Sequence, residues 1–188
     1  MKIGFAFCGS YCTFALAIEQ LRHFSGVGHE IVPIMSFNAS STDTRFGTAE
    51  EHISKIENIC GRSVIKTIAD AEPLGPKEKL DMLIICPCTG NTLAKMALGI
   101  TDTPVTMATK AHLRCDRPLL IALATNDGLS ANLSNLSAMQ KRKSVYFVPL
   151  TQDDPEKKPH SLVCDFSKLG EAFYAALRGE QLRPLFLN

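Results

Sequence analysis

Long runs of one charge are missing from this chain: 20 basic residues stand against 19 acidic ones over 188 positions, leaving a net charge of +1. That balance lacks the basic footprint a nucleic-acid surface requires, so nucleic acid is excluded as a first expectation. Apolar runs stop short of the ~20 residues that span a bilayer. Met1-Lys2-Ile3-Gly4 enters a strand pattern at once, leaving no room for a signal peptide, so a cytoplasmic protein is expected. The seven cysteines are odd in number and scattered through strand and helix patterns, which argues for reduced thiols over a disulfide framework. Neither Cys8 with Cys12 nor Cys86 with Cys88 has C-x-x-C spacing, and no histidine stands near either pair, so no metal site is expected. His23, His29, His52 and His160 have no acidic or serine partner identifiable from sequence, which leaves no basis for a catalytic triad.

Nucleotide fingerprints are also missing. Only Gly9 falls in the first strand-to-helix turn, and the second strand runs into Ser36-Phe37-Asn38 where a ribose 2′-hydroxyl would need an acidic residue. No GK[ST] occurs, which removes a Walker-type triphosphate site.

What is present is a regular alternation of apolar runs with helix-period patterns. Strand patterns cover Lys2 to Cys8, Glu30 to Met35, Ser63 to Ile68, the run around Leu83-Ile84-Ile85, Pro118 to Ala124, and Val145 to Pro149. Helix patterns run to about Phe24, from about Thr48 to Cys60, over Leu93 to Ile100, from Thr103 to Arg114, from about Ser130 to Arg142, and from Phe166 to Arg178. Asp70 to Lys79 reads as a loop with one helical turn. The alternation predicts a single α/β domain over 1–188: a Rossmann-like, flavodoxin-like doubly wound parallel sheet with helices on both faces. The segment 151–161 is too polar and proline-rich to be an element and reads as a solvated or docking loop, with a C-terminal helix and tail over 166–188.

Ligands of such sheets bind beyond the carboxyl ends of the strands. Four corners meet that edge: Gly9-Ser10, Ser36 to Ser41, Cys88 to Thr92, and Thr125 to Gly128. They share uncharged donors and acceptors, namely Ser10, Ser36, Asn38, Thr89, Asn91, Thr92, Thr125 and Asn126. Such groups suit a phosphate plus a flat ring with both hydrogen-bonding polarities, which describes FMN; as isolated residues they are also ordinary caps and turn formers. Cys88 reads as an inert buried thiol, or as one lowered in pKa by the following helix start. Lys110, His112 and Arg114 sit where cations complement a helix end, or where Lys110 and Arg114 would bind substrate carboxylates.

The corner Pro87-Cys88-Thr89-Gly90-Asn91-Thr92, continued by Leu93 to Asp102, resembles the FMN-binding cysteine-decarboxylase-like flavoproteins. Their hallmark is a Pro-x-Ser-Ala-Asn-Thr loop, a helix and a Gly-Ile-x-Asp end; here Thr89 stands for the serine and Gly90 for the alanine. The resemblance extends to Gly9-Ser10 and to Ser36 through Phe46, and implies FMN contacts from Gly9, Ser10, Ser36, Phe37, Asn38, Pro87, Cys88 and the rest of the loop. Two parts of the pattern are absent. No histidine lies in Asp70 to Gly75, where the decarboxylases carry a catalytic one, and their Pro-Met-Asn segment is replaced by Ala124-Thr125-Asn126-Asp127. Cysteine decarboxylation is therefore not expected, and no catalytic acid or base is assigned.

Over its whole length, from KIGFAFCGSYCTF to QLRPLF, the chain is further similar to a branch of this family in spore-forming bacteria. That similarity implies an FMN-binding oxidoreductase subunit in the mother-cell cytoplasm during sporulation. It implies a partner A subunit that carries NAD(P), and oxidation of a dihydrodipicolinate-type pyridine dicarboxylate precursor to dipicolinate. A homo-oligomer built on trimers is implied by the wider family. The alternatives are a non-catalytic subunit that docks and activates the A chain, and an FMN-dependent transferase or decarboxylase of the same fold.

Overall fold

The computed structural model describes residues 1–187, so Asn188 at the end of the tail lies outside the described residues. Lys2–Phe7 (β1), Glu30–Met35 (β2), Met82–Cys88 (β3), Leu119–Thr125 (β4) and Val145–Phe147 (β5) are parallel, in spatial order β2-β1-β3-β4-β5. This is the flavodoxin-like strand order. The near-continuous apolar runs of β1 and β3 are buried along their length, as strands covered on both faces must be.

The sheet departs from the wholly parallel expectation at one edge. Leu150–Thr151 (β6) and Leu162–Cys164 (β7) form an antiparallel pair, and β7 pairs antiparallel with Ala124 and Thr125 of β4. The reason lies in β5, which covers only Leu119 to Ile121 and would leave the end of β4 with unpaired backbone groups. β7 supplies those partners, so the polar segment at 151–161 is the connection of a hairpin rather than a free linker. Strands this short carry too little alternation to stand out in sequence.

The strand expected at Ser63 to Ile68 is reduced to a single bridge between Ile65 and Ile34. Pro33 offers its carbonyl to the Ile65 N–H at 2.9 Å but has no N–H to return on that edge. Thr67 then caps the short helix Ile68–Ala71 (α4) and turns the chain away.

Phe14–Gly26 (α1), Ala49–Cys60 (α3), Gly90–Leu98 (α5), Pro104–Leu113 (α6), Leu133–Gln140 (α7) and Leu169–Leu177 (α8) are the main helices, and Phe37–Ser41 (α2) is one short turn more. α3 starts at a Thr48–Glu51 capping box. α2 falls in what reads as an irregular polar segment, because Ser36 accepts from Ala39 N at 3.3 Å and makes that segment helical. Right-handed crossovers put α1 and α8 together on one face, where Phe24 meets Phe173 at 5.0 Å between ring centroids, with α4 to α7 on the other. Among the described residues no helix is long and apolar enough to cross a membrane, and no group of three or more His, Cys, Asp or Glu could hold a metal ion.

His112 in α6 is fully buried, with Nε2 donating to the Pro118 carbonyl at 2.9 Å and Nδ1 without a partner. Burial pushes its imidazole down from 6.5 to about 4, the hydrogen bond to Pro118 opposing. The unfolded chain therefore takes up a proton on this ring at higher pH than the folded chain does. The contribution is fully present above pH 6.5 and is lost as pH falls toward 4. Urea unfolding at pH 7 and pH 4 should show wild type losing about 2 kcal/mol more than His112→Gln over that interval; equal losses would remove His112 as the cause.

Candidate cofactor and substrate cleft

From β1 the chain steps to β2 on one side, whereas from β3 it steps to β4 on the other, so the loops leaving β1 and β3 diverge and open a crevice at their carboxyl ends. Its floor is held together by hydrogen bonds between the two corners. Cys8 N donates to the Pro87 carbonyl at 3.1 Å, and the Thr92 hydroxyl donates to Cys8 Sγ at 3.3 Å. Thr89 is the N-cap of α5: its Oγ1 accepts from Thr92 N at 3.3 Å while its own hydroxyl donates to Thr92 Oγ1 at 3.1 Å. The opening N–H groups of α5 have no acceptor within the helix and face the crevice with the positive end of the helix dipole.

Two cavities meet at this point. The larger, about 1420 Å³, runs from Gly9-Ser10 and Thr89-Gly90-Asn91 past Thr125 and Asn126 to the β6–β7 hairpin. The smaller, about 270 Å³, lies between Ser36-Phe37-Asn38, Thr92 and Lys95, and the cavities share Gly9, Thr89 and Asn91. The four polar corners are thus brought to one place. The side-chain amides of Asn38, Asn91 and Asn126 make no hydrogen bond among the described residues, which leaves their donors and acceptors to a ligand. Tyr11 links the first two corners, its hydroxyl donating to the Asn38 carbonyl at 2.8 Å.

Four of the sequence-predicted residues lie elsewhere. Pro87 and Cys88 are buried in β3 beneath the corner and line neither cavity. The activated reading of Cys88 fails: burial pushes its thiol well above 9.0, as it does Cys86, and Cys8 rises to about 11. Lys110 and Arg114 sit at the end of α6 that leads into the start of β4, the opposite edge of the sheet from the cleft. There they complement the helix terminus and cannot reach a ligand in either cavity.

Further lining residues are not singled out by sequence, although Arg45 and Phe46 fall inside the Ser36-to-Phe46 stretch that the resemblance covers. Arg45 and Phe46 occupy the tip of a turn closed by Thr44 and Gly47, with the Arg45 guanidinium 4.8 Å from the Phe46 ring centroid. Lys158 comes from the 151–161 segment and pairs with Asp153, which lines the same cleft. Asp127 takes a hydrogen bond on each carboxylate oxygen, from Thr125 Oγ1 at 2.5 Å and from Asn132 Nδ2 at 2.8 Å, and Asn135 supports Asn132 at 2.9 Å. This network draws residues 126–132 into turns, so α7 begins at Leu133, later than its pattern suggests. One signal for it is present in the sequence, the glycine at position 90. A Cβ there would come within 2.5 Å of both Thr125 Oγ1 and Asn132 Nδ2 and 2.8 Å of Asp127 Oδ1. The space that the resembled family gives to an alanine methyl is here filled by a carboxylate and its donors.

A flavodoxin-like sheet with this crevice defines a flavin- or nucleotide-type α/β domain, and the flavoprotein family profile matches residues 1–175. The chain belongs to the flavoprotein family. It is 42% identical over 187 residues to the dipicolinate synthase B subunit of Bacillus subtilis, an alignment covering 100% of this chain and 94% of that protein. The crystal structure of the dipicolinate synthase B subunit from Bacillus halodurans is similar at a TM-score of 0.91 and 38% identity, over 100% of this chain and 96% of that one. The FMN-dependent cysteine decarboxylase SpaF shares the fold, with a TM-score of 0.69 at 23% identity over 95% of each chain.

Gly90→Ala should destabilise the protein by about 2 kcal/mol in chemical denaturation, because the methyl must displace the Asp127 network. In an Asp127→Ala background the same change should cost distinctly less. Additive losses in the double-mutant cycle would show that the two sites are not coupled.

Proposed function

We propose that this chain is the FMN-binding B subunit of a dipicolinate synthase, acting with an A subunit that holds NAD(P) to oxidise a dihydrodipicolinate-type intermediate to dipicolinate during sporulation in the mother-cell cytoplasm. The observation that carries the cofactor part is the joined pair of cavities at the β1/β3 crevice, ringed by three unpartnered amides and the open start of α5. The pathway part rests on similarity to the two Bacillus proteins over the whole chain.

The residues present fit FMN. Its phosphate suits the smaller cavity, where the Ser36 hydroxyl accepts from Ala39 N and keeps its own proton to donate, beside Asn38 and Thr92. Lys95 also lines that cavity, its charge held by Asp102 at 2.9 Å. A ring with alternating donors and acceptors suits Asn91 and Asn126 at the joint with the larger cleft. When bound, the flavin supplies a two-electron acceptor for the oxidation of a dihydropyridine. The protein's own part is to position: Gly9 and Gly90 let backbone approach closely, Tyr11 and Phe46 provide flat apolar cover, and the β6–β7 hairpin forms one side of the cleft. Homo-oligomerisation on a trimer, expected by resemblance, belongs to the same reading.

The reading predicts that purified protein is yellow or becomes so on incubation with FMN, and that Asn91→Ala weakens FMN uptake about tenfold through loss of its amide hydrogen bonds. Spectroscopic titration of the flavin measures both. Protein that takes up no FMN, even with its A subunit present, would overturn the cofactor assignment. In that case a docking and activating role remains the alternative, recognised by A-subunit turnover that needs this chain but tolerates Asn91→Ala.

A further inference from the structure

We propose that Arg45 and Lys158 are the carboxylate-recognition pair of the larger cleft and select a planar ligand with two carboxylates. The inference rests on the functional reading above for the chemical class of ligand, and on the charge inventory of the cleft for the residues. Arg45 and Lys158 are the cationic side chains that line it. Its three carboxylates are already engaged within the protein. Asp127 is held by Thr125 and Asn132, Asp165 accepts from the Ser167 N–H at 3.0 Å and hydroxyl at 2.6 Å, and Asp153 pairs with Lys158.

Arg45 differs from these groups in having no carboxylate partner among the described residues. Its guanidinium lies over Phe46, which orients the planar fork while leaving its N–H donors open. A bidentate carboxylate is the ligand such a fork matches best. The turn that carries it is fixed by reciprocal Thr44–Gly47 backbone bonds at 3.1 Å, so the group is presented from a set position.

Lys158 is carried by the segment that joins β6 to β7. The loop bearing it is tied by Gln152 Nε2 to the Pro159 carbonyl at 3.0 Å, and it reaches the fourth corner through Leu129 N to the His160 carbonyl at 2.9 Å. Its ammonium faces an exposed partner, Asp153, that a ligand carboxylate can replace without leaving a buried charge unpaired. Binding a dianion would therefore exchange one carboxylate for another at Lys158 and add a new pair at Arg45. The carboxylate role assigned from sequence to Lys110 and Arg114 moves to two residues that line the cleft.

The test is calorimetric titration of pyridine-2,6-dicarboxylate, with pyridine-2-carboxylate as the single-carboxylate control, into wild type, Arg45→Gln, Lys158→Gln and Asp153→Asn, alongside FMN uptake by each. Arg45→Gln and Lys158→Gln should each weaken the dicarboxylate about tenfold and erase its advantage over the monocarboxylate. Asp153→Asn should tighten it, because the competing carboxylate is gone; a merely structural Lys158–Asp153 pair would give weaker binding instead. FMN uptake should be the same in all four proteins. Unchanged dicarboxylate affinity in Arg45→Gln and Lys158→Gln, or no dicarboxylate binding by wild type, overturns the proposal. If these proteins take up FMN all the same, the cofactor reading survives that failure. Dicarboxylate binding that depends on Arg45 in protein without flavin would leave this proposal standing and the cofactor reading fallen.

Discussion

The side-by-side pairing of β1 and β3 is the constraint from which the functional architecture follows. Their ladder aligns Ile3 with Met82 through Ala6 with Ile85, and the bond from Cys8 N to the Pro87 carbonyl extends it to the point where the strands end. Both strands are buried, so register is set by apolar packing that a slip would disrupt. Since the chain leaves β1 and β3 toward opposite sides, their following loops cannot pack on one another. The crevice is a topological consequence, and the helix start of α5 is aimed at it by the same geometry.

The corners serve stability and ligand chemistry with different atoms. Hydroxyl oxygens of Ser36, Thr89 and Thr103 accept the N-cap bonds of α2, α5 and α6. The Ser36 hydroxyl keeps its proton, so it can satisfy a helix end and also face an anion, whereas Thr89 already gives its proton to Thr92 Oγ1. The asparagines are spared capping bonds: the side-chain amides of Asn38, Asn91 and Asn126 keep both ends open among the described residues. Viewing each corner as either a helix cap or a ligand site is a false choice here.

The Asp127 cluster shows how one small residue can rearrange a site. With glycine at position 90, a carboxylate held by two donors fits against the first turn of α5, where the helix dipole favours negative charge. The fourth corner, where the resembled family carries a Pro-Met-Asn segment, is folded about Asp127 instead.

What could be read from the residues alone was whatever depends on local pattern. Doubly covered strands, helix periods, the helix starts near Thr48 and Thr103 and the polar corners after β1, β2, β3 and β4 are written in nearest-neighbour chemistry and short periods. Failures arose where a distant partner decides. Ser63 to Ile68 has strand composition, but Pro33 on the adjoining edge limits it to one bridge. Leu162–Cys164 has too few residues for a pattern and becomes a strand because β4 has an uncovered end. Cys88 follows the same rule, since sequence places it before a helix and only packing reveals that its thiol is turned into the core. Charges were the least legible: Lys110 and Arg114 look available at a helix end, whereas Arg45 and Lys158, from a turn and a polar loop, are the cations that share a cavity. Which side chains meet across a cleft is set by how the chain crosses itself, and no local spacing encodes that.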